Sequence, residues 1–141
     1  MFVFHRPIRF GDVDAARLVF FPRFLEYCHD ALEALFAALD GGYPRLTQER
    51  GVGIPTVRVE CDFHAPLRYG DVARLETDVL ALGRSSATVR HTIRRDADGA
   101  LCATVRHVFV TASLAALVPV PIPDDVRDLL SRHLVPASED A

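Results

Sequence analysis

The chain has no lysine: all sixteen of its basic residues are arginine. A Walker-type phosphate-binding lysine and a Schiff-base lysine are therefore excluded. Cysteine is sparse. Cys28, Cys61 and Cys102 are odd in number, far apart and without a C-x-x-C pair, a usage that fits a reduced, cytosolic compartment rather than a disulfide scaffold. The first ten residues carry charges every few positions and no apolar h-region, so no secretory leader is expected. No apolar run reaches membrane-spanning length, and a net charge of −3 gives no electrostatic reason to expect nucleic acid. Catalytic motifs are missing as well. There is no G-x-S-x-G elbow. Gly51-Val52-Gly53 runs into Ile-Pro and a strand, the wrong context for a dinucleotide loop. The six histidines are scattered without ligand spacing, so neither a metal nor a cofactor is expected.

What is present is a core. Half of the 141 residues are hydrophobic, enough for a single domain over 1–135 without disulfide or metal, with a loose tail over 136–141. The chain is organised around Phe10–Leu39. Pro22 suits the first position of a helix. Behind it Phe24, Leu25, Cys28, Ala31, Leu32, Leu35, Phe36 and Leu39 recur at three- and four-residue spacing, which predicts one long helix with a wide apolar stripe. Asp40-Gly41-Gly42 should end it near Leu39. Before it, Phe2 to Phe10 alternates as an edge-type strand. After it, residues 43–53 read as irregular, with one helical turn.

Pro55 to Ala65 alternates at period two without a miss, and Val72–Leu82, Ser86–Arg95 and Leu101–Thr111 read as further strands, the last extended toward Val118. A four-residue loop between Arg95 and Ala100 would pair Val89 with Arg106, so a bulge or a different register is expected there. A short amphipathic helix should follow Asp124-Asp125 and run to Leu134. Strands joined by turns imply antiparallel pairing, with the long helix on one sheet face: an α+β fold whose unpaired edge a second subunit would cover.

Asp12 and Asp14 precede the helix start, where backbone N–H groups lack partners and carry partial positive charge. Such acids can simply shape turns and cap helices. Alternatively, one carboxylate faces the carbonyl carbon of a bound acyl compound while a helix-start N–H, notably that of Phe21, holds the oxygen. A carboxylate is a weak nucleophile and base, so a thiolate, with thiol pKa about 8.5, suits as leaving group better than an alkoxide or amine.

Three stretches together carry a family resemblance: Ile8-Arg9-Phe10-Gly11-Asp12-Val13-Asp14-Ala15-Ala16-Arg17-Leu18-Val19-Phe20-Phe21-Pro22, then Phe63-His64-Ala65-Pro66-Leu67-Arg68-Tyr69-Gly70-Asp71, then Gly83-Arg84-Ser85-Ser86 through Val89-Arg90-His91-Thr92. The chain resembles the hot-dog-fold thioesterases of the 4-hydroxybenzoyl-CoA thioesterase type. The resemblance implies a curved antiparallel sheet wrapped around a central helix, homodimers or homotetramers built as dimers of dimers, a site at the subunit interface, and no metal. It implies hydrolysis of an acyl-CoA, an aromatic one such as 4-hydroxybenzoyl-CoA, with Asp14 as nucleophile or general base and the Phe21 N–H polarising the thioester. Phe20 and His29 would lie near the acyl group, and Arg84 near the CoA phosphates. Arg17 stands where the family usually has Gly, and is expected to contact substrate. The other readings are a short- or branched-chain acyl-CoA thioesterase, a 1,4-dihydroxy-2-naphthoyl-CoA hydrolase (Cys28-His29-Asp30 is similar to a run in that group), and a non-catalytic acyl-CoA-binding subunit.

Overall fold

Strand β1 (Phe2–Pro7) forms one edge of a five-stranded antiparallel sheet, in a computed structural model that describes residues 1–136. The expected tail over 136–141 falls, past Pro136, outside the described residues. The central helix α1 (Arg23–Phe36) packs on one face of the sheet, and β2 (Val52–Gly53) leads into β3 (Thr56–Phe63). Three long strands follow, β4 (Val72–Leu82), β5 (Ser86–Arg95) and β6 (Leu101–Val110); then come β7 (Ala112–Ser113), β8 (Val118–Pro119) and a C-terminal helix, Asp124–Ser131. The sheet order is β1-β4-β5-β6-β3, and β2, β7 and β8 make a small second sheet. This is the α+β hot-dog architecture.

The register at the β5–β6 hairpin obeys the burial pattern rather than the loop length. A shift between Ile93 and Arg94 sets Val89 opposite His107 and Arg90 opposite Arg106. Simple pairing would have turned Arg106 toward the core, because opposed residues share a face.

The core forms two clusters along α1. Ile8, Val19, Phe24, Tyr27, Cys28 and Ala31 meet Leu75, Ile93 and Val105 at one end. Leu32, Leu35 and Phe36 meet Val79, Val89, Phe109 and Leu130 at the other. Each large side chain buried there contributes roughly 1.5–3 kcal/mol.

The structure shifts several expected boundaries. β1 stops at Pro7 because the Asp12 carboxylate draws the Arg9 N–H into a one-turn 3-10 segment, Phe10–Asp12, at 2.9 Å. Helix α1 ends at Phe36; the amides of Ala38 and Leu39 bond three residues back, to Leu35 and Phe36, before Gly41 turns left-handed at φ 75°. Leu25, assigned to the buried stripe, is exposed, and Tyr27 takes a core position instead. β6 does not run on to Val118: residues 114–117 turn, and Leu117 adopts φ 55°. The C-terminal helix stops at Ser131, and Leu134 bridges to Val79.

β3 is the most exposed long strand in spite of its alternation. Its pattern is that of a half-buried strand, yet Val57, Val59 and Phe63 are all exposed, because β3 pairs only with β6 and leaves its other edge open.

Candidate active site

The acidic segment is a narrow hairpin leading straight into α1. Val13 and Val19 bridge antiparallel; Asp14 N–H donates to the Leu18 carbonyl at 2.9 Å, and Phe20 N–H donates to the Asp12 carbonyl at 2.9 Å. Leucine 67 anchors the far strand through its carbonyl, which accepts the Val19 N–H at 2.9 Å.

The two acids have opposite environments. Asp12 is 5% exposed and faces Arg6 at 3.4 Å, and Arg6 also meets Asp30 of α1 at 3.4 Å. The Arg6 guanidinium lies 5.0 Å over the Tyr27 ring. Burial and the Asp12 charge push the Tyr27 hydroxyl well above the ordinary phenol range. Asp12 is thus fixed in the scaffold, holding β1, the hairpin and α1 together. Asp14 is exposed: its Oδ1 accepts the Ala16 N–H at 2.8 Å, and its Oδ2 has no hydrogen-bond partner among the described residues.

The helix start offers the complementary charge. Arg23, Phe24 and Leu25 N–H groups bond to the carbonyls of Phe20, Phe21 and Pro22, while the Phe21 N–H has no partner among the described residues. An unpaired N–H at this end carries the positive pole of the helix dipole. The Phe20 and Phe21 rings are exposed and meet edge to face at 5.4 Å; Phe63 packs against Phe21 at 6.3 Å and Phe24 at 5.3 Å. A cavity of about 200 Å³ opens here, lined by Phe21, Phe24, Phe63 and His64 among others.

Arg17 follows Asp14 in the hairpin turn and donates its N–H to the Asp14 carbonyl at 2.9 Å. Its φ is +66°, a left-handed conformation that costs an L-residue roughly 1–2 kcal/mol and glycine almost nothing. Backbone shape, rather than close approach of an acyl group alone, therefore explains why glycine suits this position.

His29 is exposed two turns further along α1, roughly 12 Å from Phe21 at 1.5 Å per residue. It helps line a cavity of about 260 Å³ with Leu25, Cys28, Thr56, Val59, Val105 and His107. Thr56 Oγ1 and His107 Nε2 share a hydrogen bond of 2.8 Å there. Burial, and secondarily His29, hold the His107 pKa below the ordinary histidine value. His107 carried no functional expectation from the sequence; the β5–β6 register, which turns it to the helix-facing side, is the signal that could have found it.

The structure brings Asp14, Arg17, Phe20 and Phe21 together on one hairpin, but not Arg84. Arg84 lies in the β4–β5 turn, where its carbonyl accepts the Ile122 N–H at 2.8 Å. That turn is a full strand length from the acidic hairpin, about 30 Å over ten residues. A roomier cavity, about 470 Å³ with Tyr43, Ile54, Leu114 and Leu117 in its wall, also lies at that far end and carries no acid. Of the smaller cavities, the one of about 200 Å³ adjoins the helix start, and the one of about 260 Å³ lies further along α1. Among the described residues, no cluster of three His, Cys, Asp or Glu side chains could hold a metal ion, and no helix is long and apolar enough to cross a membrane.

The fold and this site define a hot-dog domain with an exposed acid at its helix start. Residues 8–130 match the Thioesterase-like superfamily. The chain is 34% identical over 119 residues to the 1,4-dihydroxy-2-naphthoyl-CoA hydrolase of Synechococcus elongatus, covering 84% of this chain and 88% of that one. Its fold matches the 1,4-dihydroxy-2-naphthoyl-CoA thioesterase of Synechocystis, with TM-score 0.84 at 22% identity over 92% of this chain and 95% of that one. A gentisyl-coenzyme A thioesterase superposes with TM-score 0.79 at 28% identity, covering 91% and 98%. The protein belongs to the Thioesterase-like superfamily and is a thioester hydrolase.

Proposed function

We propose that the protein hydrolyses a coenzyme A thioester of a hydroxylated aromatic acid, with the 1,4-dihydroxy-2-naphthoyl ester as first candidate. The relatives favour that acyl group over the 4-hydroxybenzoyl group expected from the sequence. The observation that carries the reaction is one hairpin that presents an exposed carboxylate, Asp14, and ends at an unpaired helix-start N–H, that of Phe21. The substrate carbonyl oxygen accepts the Phe21 N–H. Asp14 either adds to the carbonyl carbon, giving an anhydride that water then cleaves, or removes a proton from the attacking water. In both cases the C–S bond breaks, CoA leaves as a thiolate without a general acid, and the products are the free acid and CoA. A single oxyanion donor contributes about 2.7–4 kcal/mol to such a transition state.

The cavity beneath α1 supports the aromatic reading. Leu25, Cys28, Val59 and Val105 supply apolar walls, while His29, Thr56 and His107 supply groups for ring hydroxyls. The open β3 edge, with Val57, Val59, Phe63 and neighbouring Leu25 exposed, supports a homodimer that continues the sheet through this strand. The free cysteines suit a reducing compartment.

The test is thiol release from benzoyl-, hydroxybenzoyl-, dihydroxynaphthoyl-, acetyl-, isobutyryl- and hexanoyl-CoA by wild type and Asp14→Asn. The amide keeps an acceptor for the Ala16 N–H, so the turn survives. We expect selective aryl hydrolysis, reduced about 10²–10⁴-fold in the variant. Equal rates on acetyl and aryl esters would overturn the aryl reading. An unimpaired Asp14→Asn would overturn the role of Asp14.

A further inference from the structure

Three neighbouring strands break their apolar stripe at one level. On the face that meets α1, β4 carries Leu75, Thr77 and Val79, β5 carries Ile93, His91 and Val89, and β6 carries Val105, His107 and Phe109. The apolar members belong to the two core clusters, and the polar ones lie in the seam between them. Register sets them in a row. Thr77 is opposite His91, and His107, opposite Val89, is the diagonal neighbour of His91, with ring centroids 6.1 Å apart. Thr77 and His91 are fully buried. Apolar side chains there would join the two clusters, whereas a buried polar atom without a partner is destabilising. The row nonetheless holds more hydrogen-bonding capacity than its members use. His91 Nδ1 is bonded to Thr77 Oγ1 at 2.8 Å, and its Nε2 has no partner among the described residues. His107 Nε2 is bonded to Thr56 Oγ1 at 2.8 Å, and no second hydrogen bond of His107 is present among the described residues. At His107 the row opens onto the cavity of about 260 Å³ beneath α1. No carboxylate or guanidinium lines that cavity, and its few polar groups come from Thr56, His29 and His107. The two histidines are not equivalent. The His29 side chain is 64% exposed and stands 4.0 Å from Glu33, so water competes there. His107 is half-buried and oriented by Thr56, and a hydrogen bond discriminates best where water is excluded.

We infer that His107 is the residue that selects a hydroxylated aryl group over an unsubstituted one, by hydrogen bonding to an uncharged ring hydroxyl, and that Thr56 is its positioning residue. The inference rests on the proposed hydrolysis of aryl-CoA esters and narrows their class to rings that carry a neutral hydroxyl at the edge away from the thioester. Burial holds the His107 pKa below the ordinary histidine value, so the imidazole is neutral at pH 7. A neutral imidazole offers one donor and one acceptor, and a hydroxyl can serve as either partner. A ring carboxylate would meet no fixed cation in this cavity. A mainly apolar wall with a few polar groups is what a hydroxylated ring requires. The distance fits as well. Leu25 lines the cavity and lies one helical turn past Phe21, about 6 Å at 1.5 Å per residue, which is the span of a benzoyl group from its carbonyl to a hydroxyl on the far side of the ring.

The test compares kcat/KM within two pairs of esters that differ only in ring hydroxyls: hydroxybenzoyl- against benzoyl-CoA, and dihydroxynaphthoyl- against naphthoyl-CoA. In the pair that is turned over faster, wild type should prefer the hydroxylated ester about tenfold or more. His107→Leu should bring that preference to within about threefold of unity. Thr56→Val should lower it by a smaller factor, and Thr56→Ser, which keeps the hydroxyl, should restore it. Thr56 is exposed, so its substitution leaves the core intact and the comparison stands even where His107→Leu fails to fold. Equal losses on both members of a pair, with the preference kept, would overturn the inference, because His107 and Thr56 would then be structural. A wild type that hydrolyses both members of each pair within twofold would overturn it and leave the hydrolase reading standing. A wild type active on acetyl- or hexanoyl-CoA but on none of the four aryl esters would overturn both this inference and the aryl reading.

Discussion

Asp14 and Arg84 lie at opposite ends of the same sheet, Asp14 beside the β1, β3 and β6 ends marked by Pro7, Phe63 and Leu101, Arg84 in the turn between Leu82 and Ser86. One chain cannot bring both to one thioester across about 30 Å of strand. Antiparallel pairing of two β3 edges would set the Arg84 end of one protomer beside the Asp14 end of its partner. If both residues serve one substrate, they come from different chains. Mixed assemblies refolded from Asp14→Asn and Arg84→Ala chains should then hydrolyse a limiting aryl-CoA faster than the average of the two parent proteins, since a fully native site reappears in each mixed pair. A mixture that only matches that average would place any role of Arg84 outside the site.

Arg17→Gly should make the fold more stable. The substitution removes left-handed strain at φ +66°, offset partly by the greater freedom of glycine in the unfolded chain. The expected gain is about 1 kcal/mol, or roughly 2–4 °C in the midpoint for a chain of this size. Thermal and urea unfolding would check it, and a loss of stability would show that the Arg17 side chain packs more tightly than its exposure implies.

The long elements were legible because their burial is periodic. α1, β4, β5 and β6 each carry a stripe of the right period, and the charged position Arg106 was enough to require a register shift at the β5–β6 hairpin. What escaped the sequence depends on neighbours distant in the chain. Leu25 reads as core by spacing, but lies beside the open β3 strand and stays 42% exposed. Tyr27 is not among the residues of the stripe drawn by spacing, but Arg6 lies over its ring and pairs with Asp12, and it is buried. The acidic hairpin could be placed from its motif, and Arg17 flagged as unusual. The reason glycine suits that position is a backbone angle, which no composition or spacing reveals. Thr56 and His107 stand far from His29 in sequence, and only the packing of α1 on the sheet brings them together.

Val59→Glu should separate the subunits while leaving the protomer folded. Thr56–Phe63 has its midpoint between Val59 and Glu60, so antiparallel pairing of two copies sets the substituted side chains close to one another across the axis. Val59 is 40% exposed within the chain, so the protomer itself loses little apolar burial. Light scattering should show a dimer for wild type and a monomer for the variant, with aryl-CoA hydrolysis falling in parallel. A wild type that runs as a monomer, or a monomeric variant with full activity, would contradict a site shared between chains.

Stability should fall between pH 6.5 and pH 5 through one buried histidine. His91 is fully buried, with its Nδ1 hydrogen-bonded to Thr77 Oγ1 at 2.8 Å and its Nε2 without a partner among the described residues. Burial, reinforced by His107 with ring centroids 6.1 Å apart, pushes its pKa from 6.5 down to about 3. The folded state therefore excludes a proton that the unfolded chain binds below pH 6.5. This contribution is fully present above that value and is lost as pH falls toward the folded pKa, with a slope of about 1.4 kcal/mol per pH unit. Between pH 7.5 and pH 5 the loss is about 2 kcal/mol, a window above the range in which carboxylates add their own titration. Urea unfolding at these two pH values would measure it. In His91→Gln, which keeps a hydrogen-bonding group near Thr77 but cannot titrate, the difference should shrink to that of the remaining histidines. An equal difference in wild type and His91→Gln would assign the pH dependence elsewhere.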